Sequence, residues 1–311
     1  MRDPIPYGRY LLLDRIEIGG MAEVFLARVR EGEGAGGLVA VKRLLPTLAE
    51  DPELVAMFLD EARIAVQLDH PGVTRIADLG RHGPTYYIAM EYVPGKDLKA
   101  LLERLSTRGE RLRVPIAALI ATRVLAALEH AHRRCDEQGR ELRIVHRDVS
   151  PKNVLLSFSG DVKLIDFGLA RGRGMPEDTG VVRGTGAYMS PEQARGLPVD
   201  ASSDVFSAAV VLHEMLTGAR LFAAPTDIVT MERVAAQVVP SPRSANPDVP
   251  EAMARAVLQA LERDPALRPQ SAAAFAAAVE PHAAGADAGE LGRLLTALFP
   301  EETKKARERL G

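Results

Sequence analysis

The sequence predicts an α+β fold in which a small strand-rich lobe precedes a larger, mainly helical one. Two patterns predict it. Up to about residue 90 the chain is a series of short Val-, Ile-, Leu- and Tyr-rich runs separated by glycine or charge, which is strand patterning. From Asp97 onward, apolar residues recur at helical spacing over longer segments. A length of 311 residues and 47% hydrophobic composition are ample for a packed core in one large or two smaller domains.

In chain order, the strand candidates are YLLLDRIEI from Tyr10, AEVFLARVR from Ala22, LVAVKRL from Leu38, TRIADLGRH from Thr74 and TYYIAMEYV from Thr85. Arg30–Gly37, REGEGAGG, is a hairpin-type connector rich in glycine. One helix interrupts the strands, DPELVAMFLDEARIAVQL, with Asp51 as cap and Pro52 in the first turn. Its apolar positions Leu54, Met57, Phe58, Ile64 and Leu68 fall near helical spacing. The later helices are DLKALLERL, the long VPIAALIATRVLAALEHAHRR with Pro115 near its start, SDVFSAAVVLHEMLTG ending at Gly218, and PEAMARAVLQALERD stopping before Pro265. NVLLS and DVKLID read as a hairpin around FSGD. Pro281–Asp287 reads as a linker to one last helix, Ala288–Leu310, with Leu291, Leu294, Leu295, Leu298 and Phe299 on one face. That helix either docks on the helical lobe, the favoured reading, or binds a partner.

The charge balance, 39 basic against 42 acidic side chains for a net −3, offers no basic excess for nucleic acid or an anionic membrane surface. The single cysteine, Cys135, allows no internal disulfide and suits a reducing compartment. No apolar run is expected to span a bilayer, and the N-terminus lacks a signal-peptide core. A cytoplasmic protein is the expectation.

Four motifs stand in a telling order: VAVK (Val39–Lys42), HRDVSPKN (His146–Asn153), DFG (Asp166–Gly168) and GTGAYMSPE (Gly184–Glu192). Each alone is weak, since a lysine after three apolar residues is ordinarily a strand-end surface lysine. Together, in this order and spacing, they resemble the eukaryotic-like (Hanks-type) serine/threonine protein kinases of bacteria over residues 8–282. The resemblance implies a two-lobed protein kinase fold, with a small antiparallel sheet lobe (8–90) carrying one key helix and a helical lobe (91–282), followed by a C-terminal linker and helix (283–311).

The roles that follow are those of the family's phosphoryl-transfer template. Lys42 would hold the α- and β-phosphates of ATP, aimed by Glu61 in DEARIA, with the neighbouring Asp60 as the rival. Asp148 would orient or accept the proton of the acceptor hydroxyl. Asn153 and Asp166 would hold Mg2+, with Mn2+ as the alternative ion, since hard cations favour carboxylate and amide oxygens. Ile16, Gly19, Val24, Ala40, Met90, Glu91, Val93 and Leu155, with Lys42 and Asp166, would line the nucleotide site. Thr185 would stand in the substrate-binding wall, Glu192 would pair with a distant arginine for which Arg268 is the candidate, and Asp204 would hold the catalytic-loop backbone. Arg147 beside the catalytic acid suggests control by phosphate in the activation segment, with Thr179 the candidate site.

Two places depart from the family pattern. The nucleotide-covering loop reads EIGGMAEV, with Glu17 and Ala22 at the first and third glycine positions. Ser150 stands where such kinases carry a lysine that touches the transferring phosphate, and Lys152, two residues on, either reaches that phosphate or, the favoured reading, points to solvent. Two functions therefore compete. One is a kinase acting on Ser or Thr of protein substrates, with self-association for trans-autophosphorylation. The other is a pseudokinase, a nucleotide-sensing or docking module. Retention of Lys42, Glu61, Asp148, Asn153 and Asp166 favours the first.

Overall fold

The computed structural model describes residues 3–167 and 185–310. Its first lobe is a six-stranded antiparallel sheet. The strands are β1 (Ile5–Tyr7), β2 (Tyr10–Ile18), β3 (Ala22–Val29), β4 (Leu38–Leu44), β5 (Ile76–His82) and β6 (Thr85–Glu91), in the spatial order β1-β2-β3-β4-β6-β5. Five of these are the strands the sequence predicts. The sixth, β1, is only three residues long and contains Pro6, which is tolerated because β1 is an edge strand.

The period of two along each strand gives this sheet two apolar faces. Tyr7, Tyr10, Leu12, Phe25, Val41 and Ala89 pack on one side. Ala22, Ala40, Leu44, Ile88 and Met90 pack on the other, against Phe58 and Ala62 of α1 (Pro52–Ala65). Asp51 caps that helix as its sequence predicts, accepting from the amides of Glu53 and Leu54 at 2.9 and 3.3 Å.

The second lobe opens with a short sheet of β7 (Gly95–Asp97), β8 (Val154–Ser157) and β9 (Val162–Leu164). Strands β8 and β9 are the predicted hairpin, with Val154 opposite Leu164. The helices are α2 (Leu98–Thr107), α3 (Val114–His132), α4 (Pro191–Ala194), α5 (Ala201–Thr217), α6 (Asp227–Ala236), α7 (Glu251–Ala260), α8 (Ala272–Val279), α9 (Ala288–Leu298) and α10 (Pro300–Leu310). Gly218 ends α5 in a left-handed conformation, φ +74°, donating its amide to Glu214 O.

Three expectations need correction. Helix α3 does have the length and apolarity of a membrane span, but here Ile116, Ile120, Val124, Leu125 and Leu128 are core residues of the lobe. Helix α7 stops at Ala260, well before Pro265, because the chain turns at Leu261 and re-forms as a short 3₁₀ turn, Pro265–Leu267. The final helix is two helices, since Pro300 cannot donate to the preceding turn and the chain breaks at Phe299.

The C-terminal pair is docked. Leu291, Leu295, Leu298 and Phe299 join the main core. Arg104 of α2 donates to Leu298 O at 2.9 Å and lies over the Phe299 ring. The fit against the β8–β9 turn is close: a Cβ at Gly160 would lie 1.7 Å from Ala288 O. Helix α10 then touches both lobes, with Glu302 3.3 Å from Lys96 and Arg309 paired to Asp14 of β2.

Candidate active site

The site lies where the sheet lobe faces the β8–β9 hairpin. Lys42 sits on β4 directly opposite Val24 and Ile88, held between two strands. Its Nζ donates to Glu61 Oε1 at 2.5 Å and to Asp166 Oδ1 at 2.9 Å. Glu61 is therefore the α1 acid that meets the lysine. Asp60 is exposed and pairs with Arg63 instead. Helical spacing decides between neighbours that the local sequence leaves close: Glu61 precedes the buried Ala62, while Asp60 lies on the outer face.

One ammonium thus serves two carboxylates. Burial works against the Lys42 ammonium, but Asp166 and Glu61 outweigh it and raise its pKa. Burial drives Glu61 up to about 7, with Lys42 offsetting only part of the rise. Crowding by protein also pushes Asp166 up, but the charge and hydrogen bond of Lys42 outweigh it and hold that carboxyl below its ordinary value. Asp166 keeps 38% of its side chain open to the cleft, so its ionised carboxylate remains available to a ligand.

The loop of residues 146–153, the candidate catalytic loop, is held by hydrogen bonds to its backbone. Asp204, fully buried in the first turn of α5, accepts from the amides of His146 and Arg147, both at 2.8 Å. His132, at the end of α3, places Nε2 2.8 Å from the same carboxylate. His146 Nε2 lies 3.0 Å from Ile165 O, and its Nδ1 accepts from the Asp148 amide at 3.2 Å, so a neutral ring protonated on Nε2 satisfies both. Its ring packs on Phe167, with centroids 4.6 Å apart. Asn153 Nδ2 donates to Asp148 O at 2.8 Å and to Asp148 Oδ2 at 3.0 Å. Arg147 and Asp166 both have left-handed backbone, φ +65° and +55°, a strain that the surrounding bonds must hold in place.

The nucleotide-lining candidates divide between the lobes. Ala40 lies directly opposite Met90, and both pack in one apolar cluster with Val24. Glu91 ends β6, where its carboxylate takes Lys163 Nζ at 2.9 Å. Val93 follows in the connector between the lobes, and Leu155 lies half-buried on β8. Ile16 is exposed at the rim, and the Gly19 amide closes the β2–β3 turn on Ala22 O at 2.8 Å. Lys152 does not simply point to solvent. Its Nζ meets Glu17 Oε1 at 2.5 Å.

Arg268 is completely buried on Glu192, Nη1 to Oε1 at 2.7 Å and Nη2 to Oε2 at 2.9 Å. The adjoining Gln193 donates from Nε2 to Arg147 O at 2.8 Å, tying α4 to the catalytic loop. Thr185 opens the 3₁₀ turn Thr185–Tyr188, while Thr179, Gly168 and Gly184 lie outside the described residues. Sequence reasoning missed His132 and Gln193. A histidine at a helix end and a glutamine after PE carry no local signal of the backbone they reach.

The comparisons agree with this geometry. The family model for the protein kinase domain matches residues 10–279. The tyrosine-protein kinase MasK of Myxococcus xanthus is 38% identical over 311 residues, 98% of this chain and 48% of the relative. The serine/threonine-protein kinase PrkC of Bacillus subtilis is 36% identical over 270 residues, 85% of this chain and 39% of the relative. PknB of Mycolicibacterium smegmatis, also a serine/threonine-protein kinase, is 38% identical over 275 residues, 85% and 41% respectively. The chain thus spans about half or less of these curated relatives' lengths. The crystal structure of the Mycobacterium tuberculosis PknI kinase domain superposes with a TM-score of 0.68 at 26% identity, covering 91% of this chain and 99% of that one. With the motifs, the two-lobed fold and the charge cluster between the lobes all in register, the chain belongs to the protein kinase family, among the bacterial Hanks-type serine/threonine kinases.

Proposed function

We propose that this chain transfers the γ-phosphoryl group of ATP to Ser or Thr hydroxyls of proteins. The observation that carries the reading is the assembled Lys42–Glu61–Asp166 cluster, at 2.5 and 2.9 Å, facing a catalytic loop whose backbone is anchored on Asp204. Phosphoryl transfer asks mainly for positioning and charge stabilisation, and these residues supply both. Lys42 would neutralise phosphate oxygens from the roof of the cleft. Asp148, oriented by Asn153 Nδ2, would hold the acceptor hydroxyl and take its proton as the phosphorus–oxygen bond to the acceptor forms and the bond from the γ-phosphorus to the bridging oxygen breaks, with ADP as the leaving group.

The residues present fit a hard divalent cation. Asn153 commits its amide nitrogen to Asp148, so its amide oxygen and the Asp166 carboxylate are the donors on offer. Among the described residues, no group of three or more His, Cys, Asp or Glu side chains could hold a metal ion, so phosphate oxygens and water would complete the coordination of Mg2+ or Mn2+. When bound, such an ion would neutralise charge on the phosphates and orient them.

Autophosphorylation between self-associated copies is the proposed route to Thr179. A specific observation favours a second reading, the pseudokinase: Glu17, Ala22 and Ser150 all depart from the family's phosphate-binding pattern. The acceptor residue is also open to test, because one relative bears the name of a tyrosine kinase. The experiment is phosphate incorporation from labelled ATP with Mg2+ or Mn2+, in the wild type, Asp148→Asn and Lys42→Met, with sites mapped by mass spectrometry. The expected result is incorporation on Ser or Thr that falls at least ~100-fold in both variants. Incorporation confined to Tyr would overturn the acceptor assignment, and none in the wild type would overturn the kinase.

A further inference from the structure

The cleft holds a second cation that the family pattern leaves unassigned. Lys152 stands in the 3₁₀ turn Pro151–Asn153, immediately before Asn153. Its Nζ lies 2.5 Å from Glu17 Oε1, and Glu17 is the residue before the end of β2, opposite Val24 and next to the β2–β3 turn. This ion pair therefore joins the catalytic loop of one lobe to the nucleotide-covering loop of the other.

Both departures from the expected pattern meet in this pair. Ser150 removes a positive charge from the catalytic loop, and its buried hydroxyl brings none back. Lys152 restores one charge within the same loop. Glu17 adds a negative charge to the covering loop, and Lys152 neutralises it. The pair is also easy to exchange. Lys152 and Glu17 keep 44% and 40% of their side chains exposed, so solvent screens the bond and separating it costs little. Lys42, by contrast, is 13% exposed and shared between two carboxylates.

Resting on the kinase reading above, we propose that Lys152 is the cation that meets the γ-phosphate in place of the charge missing at Ser150. Glu17 holds it while the nucleotide is absent. Nucleotide entry replaces one anionic partner of Lys152 by another. No covalent bond changes in this exchange. Glu17 then acts as a latch that lowers affinity for ATP slightly and keeps the lysine at the cleft mouth. The rival explanation is an ordinary solvated ion pair beside an acid that merely repels phosphate.

The test is a double-mutant cycle read by calorimetric binding of MgATP and MgADP to the wild type, Glu17→Gln, Lys152→Met and the double variant. Glu17→Gln is expected to tighten MgATP by about two- to fivefold when Lys152 is present and by less than about 1.5-fold in Lys152→Met. Adding Lys152→Met to Glu17→Gln is expected to weaken MgATP about tenfold or more while MgADP stays within about twofold. The kcat of Lys152→Met is expected to fall by at least about tenfold and to recover in part when Ser150→Lys is added. Equal tightening by Glu17→Gln in both lysine backgrounds would show repulsion without a latch and overturn the proposal. So would a double variant that binds MgATP as well as Glu17→Gln. Coupled binding without any phosphate transfer would keep the latch and refute the kinase reading. Absence of MgATP binding to every form would refute both.

Discussion

Replacing Glu192 by glutamine tests a deeply buried ion pair in the site's support. Arg268 uses all five of its N–H donors: Nε on Glu262 O, Nη1 on Glu192 Oε1 and Ser202 O, and Nη2 on Glu192 Oε2 and Arg263 O, at 2.7–3.1 Å. Its guanidinium also lies 4.9 Å from the Phe206 ring centroid. Glu192 receives a further hydrogen bond from Ser203 Oγ at 2.6 Å. The introduced amide would accept from one arginine nitrogen only, turn its own NH2 toward the other, and leave the buried guanidinium without a counter-charge. Breaking such a pair costs about 3–5 kcal/mol. The pKa gives an independent figure. Burial pushes the Glu192 carboxyl up, but the Arg268 and Ser203 hydrogen bonds outweigh it and hold it at about 2, against an ordinary 4.5. That difference corresponds to roughly 3 kcal/mol in favour of the folded state when Glu192 is ionised.

We therefore expect Glu192→Gln to lose about 3–4 kcal/mol in urea unfolding at pH 7 and to lower Tm by roughly 5–6 °C. A carboxyl whose folded pKa is depressed stabilises the fold above its unfolded pKa and loses that contribution as pH falls through the folded one. The wild-type advantage over Glu192→Gln should accordingly be full above pH 4.5 and shrink as pH falls toward 2. Because Gln193 beside it donates to Arg147 O, kcat should fall as well. A Tm within about 2 °C of wild type, or an advantage that stays constant down to about pH 3, would refute the reasoning.

Two further changes follow from the same geometry. In Asp204→Asn, one oxygen cannot serve the three donors that the carboxylate now accepts from His132, His146 and Arg147. The expected result is a kcat about tenfold lower with the MgATP dissociation constant within about twofold, and an unchanged kcat would count against Asp204 as the anchor of the loop. Gly160→Ala would force a Cβ to 1.7 Å from Ala288 O at a residue with φ +94°. Unfolding by urea should show a loss of about 2–3 kcal/mol, and hydrogen exchange over 288–310 should rise; a loss below ~0.5 kcal/mol would mean that α9 is not seated on this turn.

Much of the site was legible because its motifs match the order and spacing of a known family, whose roles carry over residue by residue. Lys42, Asp148, Asn153 and Asp166 sit in short motifs that name themselves by spacing, and Glu61 was distinguished from Asp60 by the helical face it shares with buried residues. The strands were legible because a sheet packed on both faces needs short Val-, Ile-, Leu- and Tyr-rich runs, and glycine or charge marks their ends. The break at Phe299–Pro300 could have been read from the proline alone. The early end of α7 could not, because Leu261 and Glu262 are good helix formers and only the packing of the following turn overrides them.

The motifs and their spacing were enough to recognise the family, and through that resemblance to nominate the groups proposed to bind phosphate, metal and hydroxyl. Other long-range partnerships needed the folded chain. Glu192 and Arg268 stand 76 residues apart and were matched only through the family resemblance, whereas His132 and Asp204, 72 apart, have nothing in the sequence to announce them. Lys152 found Glu17 rather than solvent, and α10 reached Asp14 across both lobes, because folding brings opposite charges together wherever surfaces meet. Long-range charge pairing is a property of shape, and shape is what the motifs leave out.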